Sequence, residues 1–426
     1  MTSSPDAPST GTAFSEAKRL FLEGLDDLQA GRYEQAEQRF VRSLALQPGR
    51  VSTLVNLAAT QIELSRPVEG LASAEQVLSI ERGNIDGWFH RGTALELLDR
   101  HEEALASFDA VLEIDAALAE PWYRRGQVLQ SLKRPEQALA SFDRALALDP
   151  EMGRAWSNRG GILQEMKRLQ EAAESFRKAL AHGADPELNT YYLASACTGS
   201  APAAAPRVYV TRLFDDYACE FDNHLVKVLN YRAPDTLASN LQAIAAQPFQ
   251  SALDLGCGTG LCGPLLRPMV QRLTGVDLSA RMLEKARARG VYEQLVQADI
   301  AEFLSSTREG HDLIVAADVF IYVGDLQPVF RGVRGVMDRI GQRSARARPD
   351  NPAARPQKMF CFSVELARPG VREFELLPSL RYAHSEGYLH GLAQAHDLDI
   401  VRIVHKPIRE DQREVIEGLF VFLKPR

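Results

Sequence analysis

Asp254 opens the stretch DLGCGTG, in which Gly256, Gly258 and Gly260 alternate with other residues directly after the apolar run SAL. A loop this rich in glycine lets a ligand approach bare backbone, and two ligand chemistries compete for it. Gly258, Gly260 and Gly263 satisfy the G-x-G-x-x-G spacing that cradles the pyrophosphate of a dinucleotide. Asp254, however, would place a carboxylate at the end of the preceding strand. There it repels phosphate and favours a ligand carrying an ammonium or sulfonium group.

Three further carboxylates repeat the placement. Asp277 in TGVDLS, Asp299 in VQADIAEF and Asp318 in IVAADVFIYVGDL each follow a short apolar run. An acid in the place of Asp277 accepts hydrogen bonds from both hydroxyls of a ribose, a device that dinucleotide sites share. Asp299 can accept from an adenine amino group while Ile300 packs on the ring. Four acids at four successive strand ends line the rim where open α/β sheets bind ligands. That pattern is more specific than the glycines alone.

Groups for proton transfer or acceptor binding lie in two other segments. Before the glycine loop, Phe214, Tyr217, Phe221 and His224 share a helical stretch, and Tyr217 with Phe221 falls on one face, as a lid over a cofactor or as plain core. After the fifth strand, RYAHSEGYLH holds Arg381, Tyr382, His384 and Tyr388. His384, with an ordinary pKa near neutrality, is the candidate general base, and Arg381 the candidate clamp for an acidic acceptor. A structural role in hydrogen bonding is the competing account of His384. No spacing of cysteine, histidine or acids suggests a metal.

The elements that must hold these residues read as α/β. Seven runs have strand character: SALDL, RLTGVDL, YEQLVQAD, DLIVAAD, KMFCFSVE, LDIVRIVHK and EGLFVFLK. Helical stretches separate the early ones, which predicts a mostly parallel sheet, and the last two are close enough to pair antiparallel. Residues 340–358, rich in arginine and proline, are expected to form a flexible basic insertion before the fifth strand. Residues 198–206, TGSAPAAAP, read as a linker, and 1–16 as a disordered tail.

Upstream of the linker the grammar is a repeat. Steps of 34 residues from Gly24 reach Ala58, Gly92, Gly126 and Gly160; from Phe40 they reach Ala74, Phe108, Phe142 and Phe176. Small residues sit where paired helices approach closely, and the aromatic column fills the space between them. Trp88, Trp122 and Trp156 keep the same register. Phe89, Tyr123, Gln127 and Gln130 project onto the inner groove of the stack, which takes a peptide or serves packing alone. Arg91, Arg125 and Arg159 form a ladder that clamps an acidic partner or pairs within the repeats. Residues 187–197 fit a helix capping the stack.

This register resembles the tetratricopeptide repeat family, which implies an all-α solenoid over 17–197 with a protein or peptide in its groove. Residues 207–426 resemble class I S-adenosylmethionine-dependent methyltransferases, at the acidic strand ends and glycines above. The resemblance implies a Rossmann-like α/β domain with a seven-stranded sheet, its last strand antiparallel, and S-adenosylmethionine as cofactor. It places Asp254, Gly256, Gly258 and Gly260 around the methionine moiety, Asp277 on the ribose, and Leu278 and Met282 beside the adenosine. Asp299 and Ile300 would hold the adenine, and Asp318 would sit near the transferred methyl. The segments RLFDDYACEFDNHLVKVLNYRAPDTL and LPSLRYAHSEGYL are similar to bacterial methyltransferases that carry tetratricopeptide repeats, a group that names no substrate.

Bulk properties agree. A net charge of −7, with 45% hydrophobic and 25% charged residues, fits a globular protein and argues against nucleic-acid binding. Five scattered cysteines fit a reducing, cytoplasmic setting, and no run is apolar enough to span a membrane. The expected activity is methyl transfer to an unidentified small molecule or protein. The alternative is an adaptor whose methyltransferase-like domain only senses the cofactor.

Overall fold

The computed structural model describes residues 10–197, 201–218, 221–223, 229, 231–347, 357–411 and 414–426. The chain divides into two compact units, Met1–Asn189 and Thr190–Arg426.

The first unit is built from five helical hairpins. They are α1 (Thr10–Gln29) with α2 (Tyr33–Leu46), α3 (Val51–Glu63) with α4 (Pro67–Ile80), α5 (Ile85–Leu97) with α6 (His101–Ile114), α7 (Ala119–Ser131) with α8 (Pro135–Leu148), and α9 (Gly153–Glu165) with α10 (Leu169–Ala181). The first helices of the last four hairpins end in the same way. The amide of Arg66, Arg100, Arg134 or Arg168 donates to the carbonyl five residues back, and Ser65, Asp99, Lys133 or Lys167 takes a left-handed φ of 56–60°. This Schellman closure reverses the chain within two residues.

Large-into-small packing holds each hairpin. A Cβ on Gly126 would lie 2.5 Å from the Phe142 ring, and Gly160 stands in the same relation to Phe176. Both rings are fully buried, each contributing about 2–3 kcal/mol of apolar burial. The second hairpin substitutes Ala58 and Ala74 at these positions, and both are buried. The arginine ladder is spent inside the repeats. Arg125 donates to Asp109 and Ser141, Arg159 to Asp143 and Ser175, and Arg91 to Ser107. Each guanidinium also lies 5.7 Å from the tryptophan of its own helix. Phe89 and Tyr123 rest against Phe108 and Phe142 of their own hairpins.

Three expectations about the boundaries change. Helix α1 starts at Thr10, inside the stretch read as a tail. Helix α11 (Pro186–Ala196) crosses the division between the units. From Thr190 it belongs to the second unit, because Tyr191 is fully buried against Leu376 and Tyr382 and its hydroxyl donates to the Leu380 carbonyl. Within the stretch read as a linker, Ala203 accepts from the amides of Gly324 and Asp325, and Ala205 donates to Tyr322.

The second unit continues with α12 (Arg207–Tyr217), α13 (Phe221–Asn223) and α14 (Ala233–Ile244). The sheet region then runs β1 (Phe249–Leu255), α15 (Gly263–Leu266), β2 (Val270–Asp277), α16 (Ala280–Ala288), β3 (Gln294–Gln297), α17 (Ile300–Ser306), β4 (Leu313–Ala316), α18 (Gln327–Ala347) and β5 (Met359–Leu366). It ends with β6 (Phe374–Leu376), β7 (Tyr382–His384), α19 (Glu386–Ala395), β8 (Leu398–Asp411) and β9 (Glu414–Pro425). Strands β3, β2, β1, β4 and β5 pair in parallel in that order, β9 pairs antiparallel with β5, and β8 with β9. All seven expected strands are present, and the antiparallel end is as expected. The short β7, hydrogen-bonded to the tip of β5, and β6, which pairs with β7, are additional; three residues are too few to show a period. Helix α18 runs through Ala347, so the first part of the expected flexible insertion is helical.

Apolar cores cover both faces of the sheet. One gathers α17, α18 and α19 over Leu253, Ile314, Phe360 and Phe362; the other gathers α14 and α15 over Ala252, Val315 and Phe420. Among the described residues no helix is long and apolar enough to cross a membrane, and no group of acids, histidines and cysteines could hold a metal.

Candidate functional site

Parallel strands joined by crossovers present the same end on the same side of a sheet. The carboxyl ends of β1, β2, β4 and β5 therefore share one rim, and a cavity of about 410 Å³ opens there.

The loop after β1 forms the floor. Gly256, Gly258 and Gly260 take φ values of 61°, 54° and 82°, a conformation that costs other residues about 1–2 kcal/mol each. A Cβ on Gly256 would lie 2.6 Å from Val319, and one on Gly260 2.9 Å from Tyr292; at Gly258 the nearest atom is 3.9 Å away, on Phe221. Backbone is thus bare toward the cavity at Gly258, while Gly260 is a packing position under Tyr292.

Asp254, 1% exposed, is the next-to-last residue of β1, beside this loop. Its Oδ2 accepts the Tyr292 hydroxyl at 2.7 Å. Burial pushes its pKa up to about 7, against the pull of the Tyr292 hydrogen bond and with help from Asp277. Among the described residues no cation pairs with it. A buried carboxylate in this state gains from a cationic ligand, which restores its charge.

Asp277 shapes the loop as well as the rim. Its Oδ2 accepts from the Gly258 amide at 2.8 Å and its Oδ1 from the Ser279 amide at 2.9 Å. Burial raises its pKa and these amides pull it back down. Asp299 caps α17 by accepting from the amides of Ala301 and Glu302, and Arg207 lies 3.6 Å from its other oxygen.

Helices α12 and α13 wall the cavity with Phe214, Tyr217 and Phe221, whose rings meet edge to face. Two carboxylates tie them down. Asp222 accepts from Thr259 and Arg289, each at 2.5 Å. Asp215 accepts from the Ser279 hydroxyl at 2.5 Å, and its carbonyl from Arg281.

The far end of the rim holds a buried charge cluster. Asp318, with a left-handed φ of 57°, sits just beyond β4 and its amide donates to Ser363. Its Oδ2 lies 2.5 Å from Nη1 of Arg409 on β8, whose Nη2 donates to Glu365 on β5. A β-bulge between Pro407 and Arg409 breaks the strand alternation there, the way bulges re-aim side chains. Arg409 reaches both acids from β8, although β9 pairs between β8 and β5. Gly418 on β9 makes room for the neighbouring Ile408, which a Cβ there would meet at 2.3 Å. Burial opposes the charge on Arg409, but Asp318 and Glu365 outweigh it and hold its pKa above the ordinary value. Arg381 hydrogen-bonds to Tyr322 next to this cluster.

Of the residues singled out in the sequence, Asp254, Gly256, Gly258, Asp277, Leu278, Asp299, Ile300, Asp318, Tyr217 and Arg381 all line the cavity. Two do not. Met282 is fully buried in the first turn of α16. His384 is also fully buried, behind the rim: its Nε2 lies 3.0 Å from the Gly324 carbonyl and its ring stacks on Tyr388. Burial lowers its pKa to about 4, so a general-base role for His384 gives way to a packing one. His224 lies outside the described residues. Sequence reasoning missed Tyr292, Glu365 and Arg409. Glu365 extends the acid-at-strand-end pattern to β5 and was in principle legible; Arg409 lies in a strand with no local signal.

Comparisons with known proteins agree with this geometry. Residues 252–341 match the family described as methyltransferase domain, and residues 85–118 and 123–188 match tetratricopeptide repeat families. Nodulation protein S of Bradyrhizobium diazoefficiens is 36% identical over 93 residues, 21% of this chain and 44% of that protein. Human methyltransferase-like protein 27 is 31% identical over 154 residues, 35% of this chain and 56% of its own. Trans-aconitate 2-methyltransferase of Paracidovorax citrulli is 40% identical over 88 residues, 20% of this chain and 34% of its own. The chain thus spans about half, or less, of these relatives.

Proposed function

Because this chain joins tetratricopeptide repeats to a methyltransferase domain, we propose that its second unit transfers the methyl group of S-adenosylmethionine, and that its repeats bind a partner or substrate protein. The observation that carries the reading is Asp254, buried without a described cationic partner beside a loop of left-handed glycines. A pyrophosphate would meet a carboxylate there, whereas the α-ammonium and sulfonium of S-adenosylmethionine supply the missing charge.

S-adenosylmethionine supplies a methyl group on positively charged sulfur, ready for direct displacement. The protein's work is then alignment and exclusion of water. Asp254 and the bare backbone at Gly258 hold the amino-acid end. Asp277, its oxygens pre-oriented by the Gly258 and Ser279 amides, takes the ribose. Asp299 and Ile300 take the adenine, with Leu278 alongside. Phe214, Tyr217 and Phe221, tied down through Asp215 and Asp222, close the cavity over it. Tetratricopeptide stacks bind proteins along their inner face, so the repeats are the natural place for a partner. The name of one relative, trans-aconitate 2-methyltransferase, makes a carboxylate one of the acceptor chemistries that the far end of the rim must accept or refuse.

Calorimetric titration with S-adenosylmethionine and S-adenosylhomocysteine tests this, with NAD and Asp254→Ala as controls. Micromolar binding of the first two, lost in the variant, is the expected result. Binding of NAD alone by the folded protein would replace the reading with a dinucleotide site.

A further inference from the structure

The far end of the cavity carries a matched pair of unused hydrogen-bonding atoms. Arg409 spends both terminal nitrogens on Asp318 and Glu365, yet its Nε is buried with no partner among the described residues. Asp318 spends Oδ2 on Arg409, and its Oδ1 is buried with no partner in the same way. Both residues line the cavity, and their side chains are 1% and 9% exposed. Orphaned buried groups of this kind are costly unless a ligand completes them. One is a donor and the other an acceptor, carried by the two partners of one ion pair.

We infer that the methyl acceptor of this site presents an X–H group, a hydroxyl or an amine, seated between Arg409 Nε and Asp318 Oδ1, and that Asp318 removes its proton. The inference rests on the methyltransferase reading above and goes further by naming the acceptor chemistry. A hydroxyl accepts from Nε–H through one lone pair, donates its hydrogen to Oδ1 and keeps a second lone pair for the methyl carbon. A neutral amine completes both orphans at rest and turns its single lone pair from Nε–H to the methyl carbon as the bond forms. A carboxylate satisfies only the arginine and sets its own charge against Asp318. Position favours the acceptor over the cofactor. The strand order β3-β2-β1-β4-β5 puts Asp299, Asp277 and Asp254 on one side of Asp318, and Arg409 with Glu365 on the other.

The step balances. A lone pair of the acceptor atom forms the bond to the methyl carbon, and the carbon–sulfur pair leaves on sulfur, which becomes a neutral thioether. The X–H proton passes to Asp318 Oδ1 and then to water. Arg409, held by two carboxylates, keeps Asp318 in place and orients the acceptor through Nε.

The test uses the full chain with methyl-tritiated S-adenosylmethionine and, separately, the small-molecule and protein fractions of a cell extract. Labelled product is then treated with mild alkali, which frees volatile methanol from methyl esters but leaves ethers and methylamines intact. Alkali-stable label is the expected result; volatile label would overturn the X–H acceptor while leaving methyl transfer standing. Asp318→Asn is the second arm, chosen because asparagine tolerates the left-handed φ of this position. It should bind S-adenosylhomocysteine within about threefold of the unaltered protein and transfer at least about a hundredfold more slowly. Loss of S-adenosylhomocysteine binding in that variant would assign the pair to the cofactor's amino-acid end and overturn the inference. Failure of the unaltered protein to label either fraction would count against methyl transfer itself, and the inference would fall with it.

Discussion

Arg409 and Asp318 are 91 residues apart in the chain and 2.5 Å apart in space. With Glu365 they link β5, β8 and the residues just beyond β4 at the rim of the sheet. The cluster is therefore both a brace for the C-terminal half of the sheet and the wall of the cavity.

Removing the cation from this brace leaves two acids unpaired in a buried site. Arg409→Met should destabilise the second unit by about 3–5 kcal/mol, read as a lower midpoint in urea denaturation followed by far-ultraviolet circular dichroism. A loss below about 1 kcal/mol would show that the acids find other partners.

Asp254 makes cofactor binding sensitive to pH. Its pKa in the free protein is raised to about 7 by burial, so below that pH the carboxyl is protonated. A cationic ligand favours the ionised form, so binding below pH 7 must expel a proton, and affinity should rise from pH 5 to 7 and then level off. Calorimetry at pH 6 in two buffers of different ionisation enthalpy would measure the released proton. Asp254→Asn should abolish the buffer dependence.

The raised pKa of Asp254 also bears on stability, with a definite sign. The folded state holds the proton more tightly than the unfolded chain, so this group's contribution is present below its unfolded value and lost as pH rises through about 7. His384 acts in the opposite window. Burial depresses its pKa to about 4, so its contribution is present above the unfolded value near 6.5 and lost as the pH falls toward 4. Proton NMR of the His384 ring should show no titration between pH 5.5 and 8, and His384→Gln should lower the melting temperature without shifting the pH profile of methyl transfer. A profile that moved with this substitution would return His384 to the chemistry.

In the repeats, Gly126 and Phe142 should behave as one unit. Gly126→Ala drives a methyl to 2.5 Å from the ring and should cost about 1–3 kcal/mol. Phe142→Leu costs stability by cavity formation, but the double variant should recover part of the sum, because the smaller side chain admits the methyl. Thermal denaturation of the four proteins measures the coupling; strict additivity would place the two residues out of contact.

Asp222 ties α13 to the glycine loop through Thr259 and Arg289. The pair is partly exposed, so Arg289→Met should weaken S-adenosylhomocysteine binding only up to about fivefold, the factor that about 1 kcal/mol allows. Unchanged affinity would show that the lid closes without this tie.

Much of this protein was legible in its residues because the relevant physics is local. The repeat hairpins follow from a period of small and aromatic residues that must meet across two adjacent helices. The seven main strands follow from short apolar runs, and the glycine loop from a conformation that glycine tolerates far better than other residues. Asp254, Asp277, Asp299 and Asp318 could be placed at one rim because parallel crossover topology sends every strand end to the same side. Glu365 obeyed the same rule and was overlooked.

Tertiary structure decided the rest, where partners come from distant parts of the chain. Nothing near Arg409 in sequence says that a bulge lies beside it or that it reaches Asp318 and Glu365. Nothing near Tyr292 says that its hydroxyl meets Asp254, or near Tyr191 that half of its helix belongs to the second unit. His384 has the residue type of a base, but burial, a property of the packed fold, removes its proton chemistry at neutral pH. Residue type and spacing determine which groups are available; the dielectric and the neighbours that set their charge and direction exist only once the chain has packed.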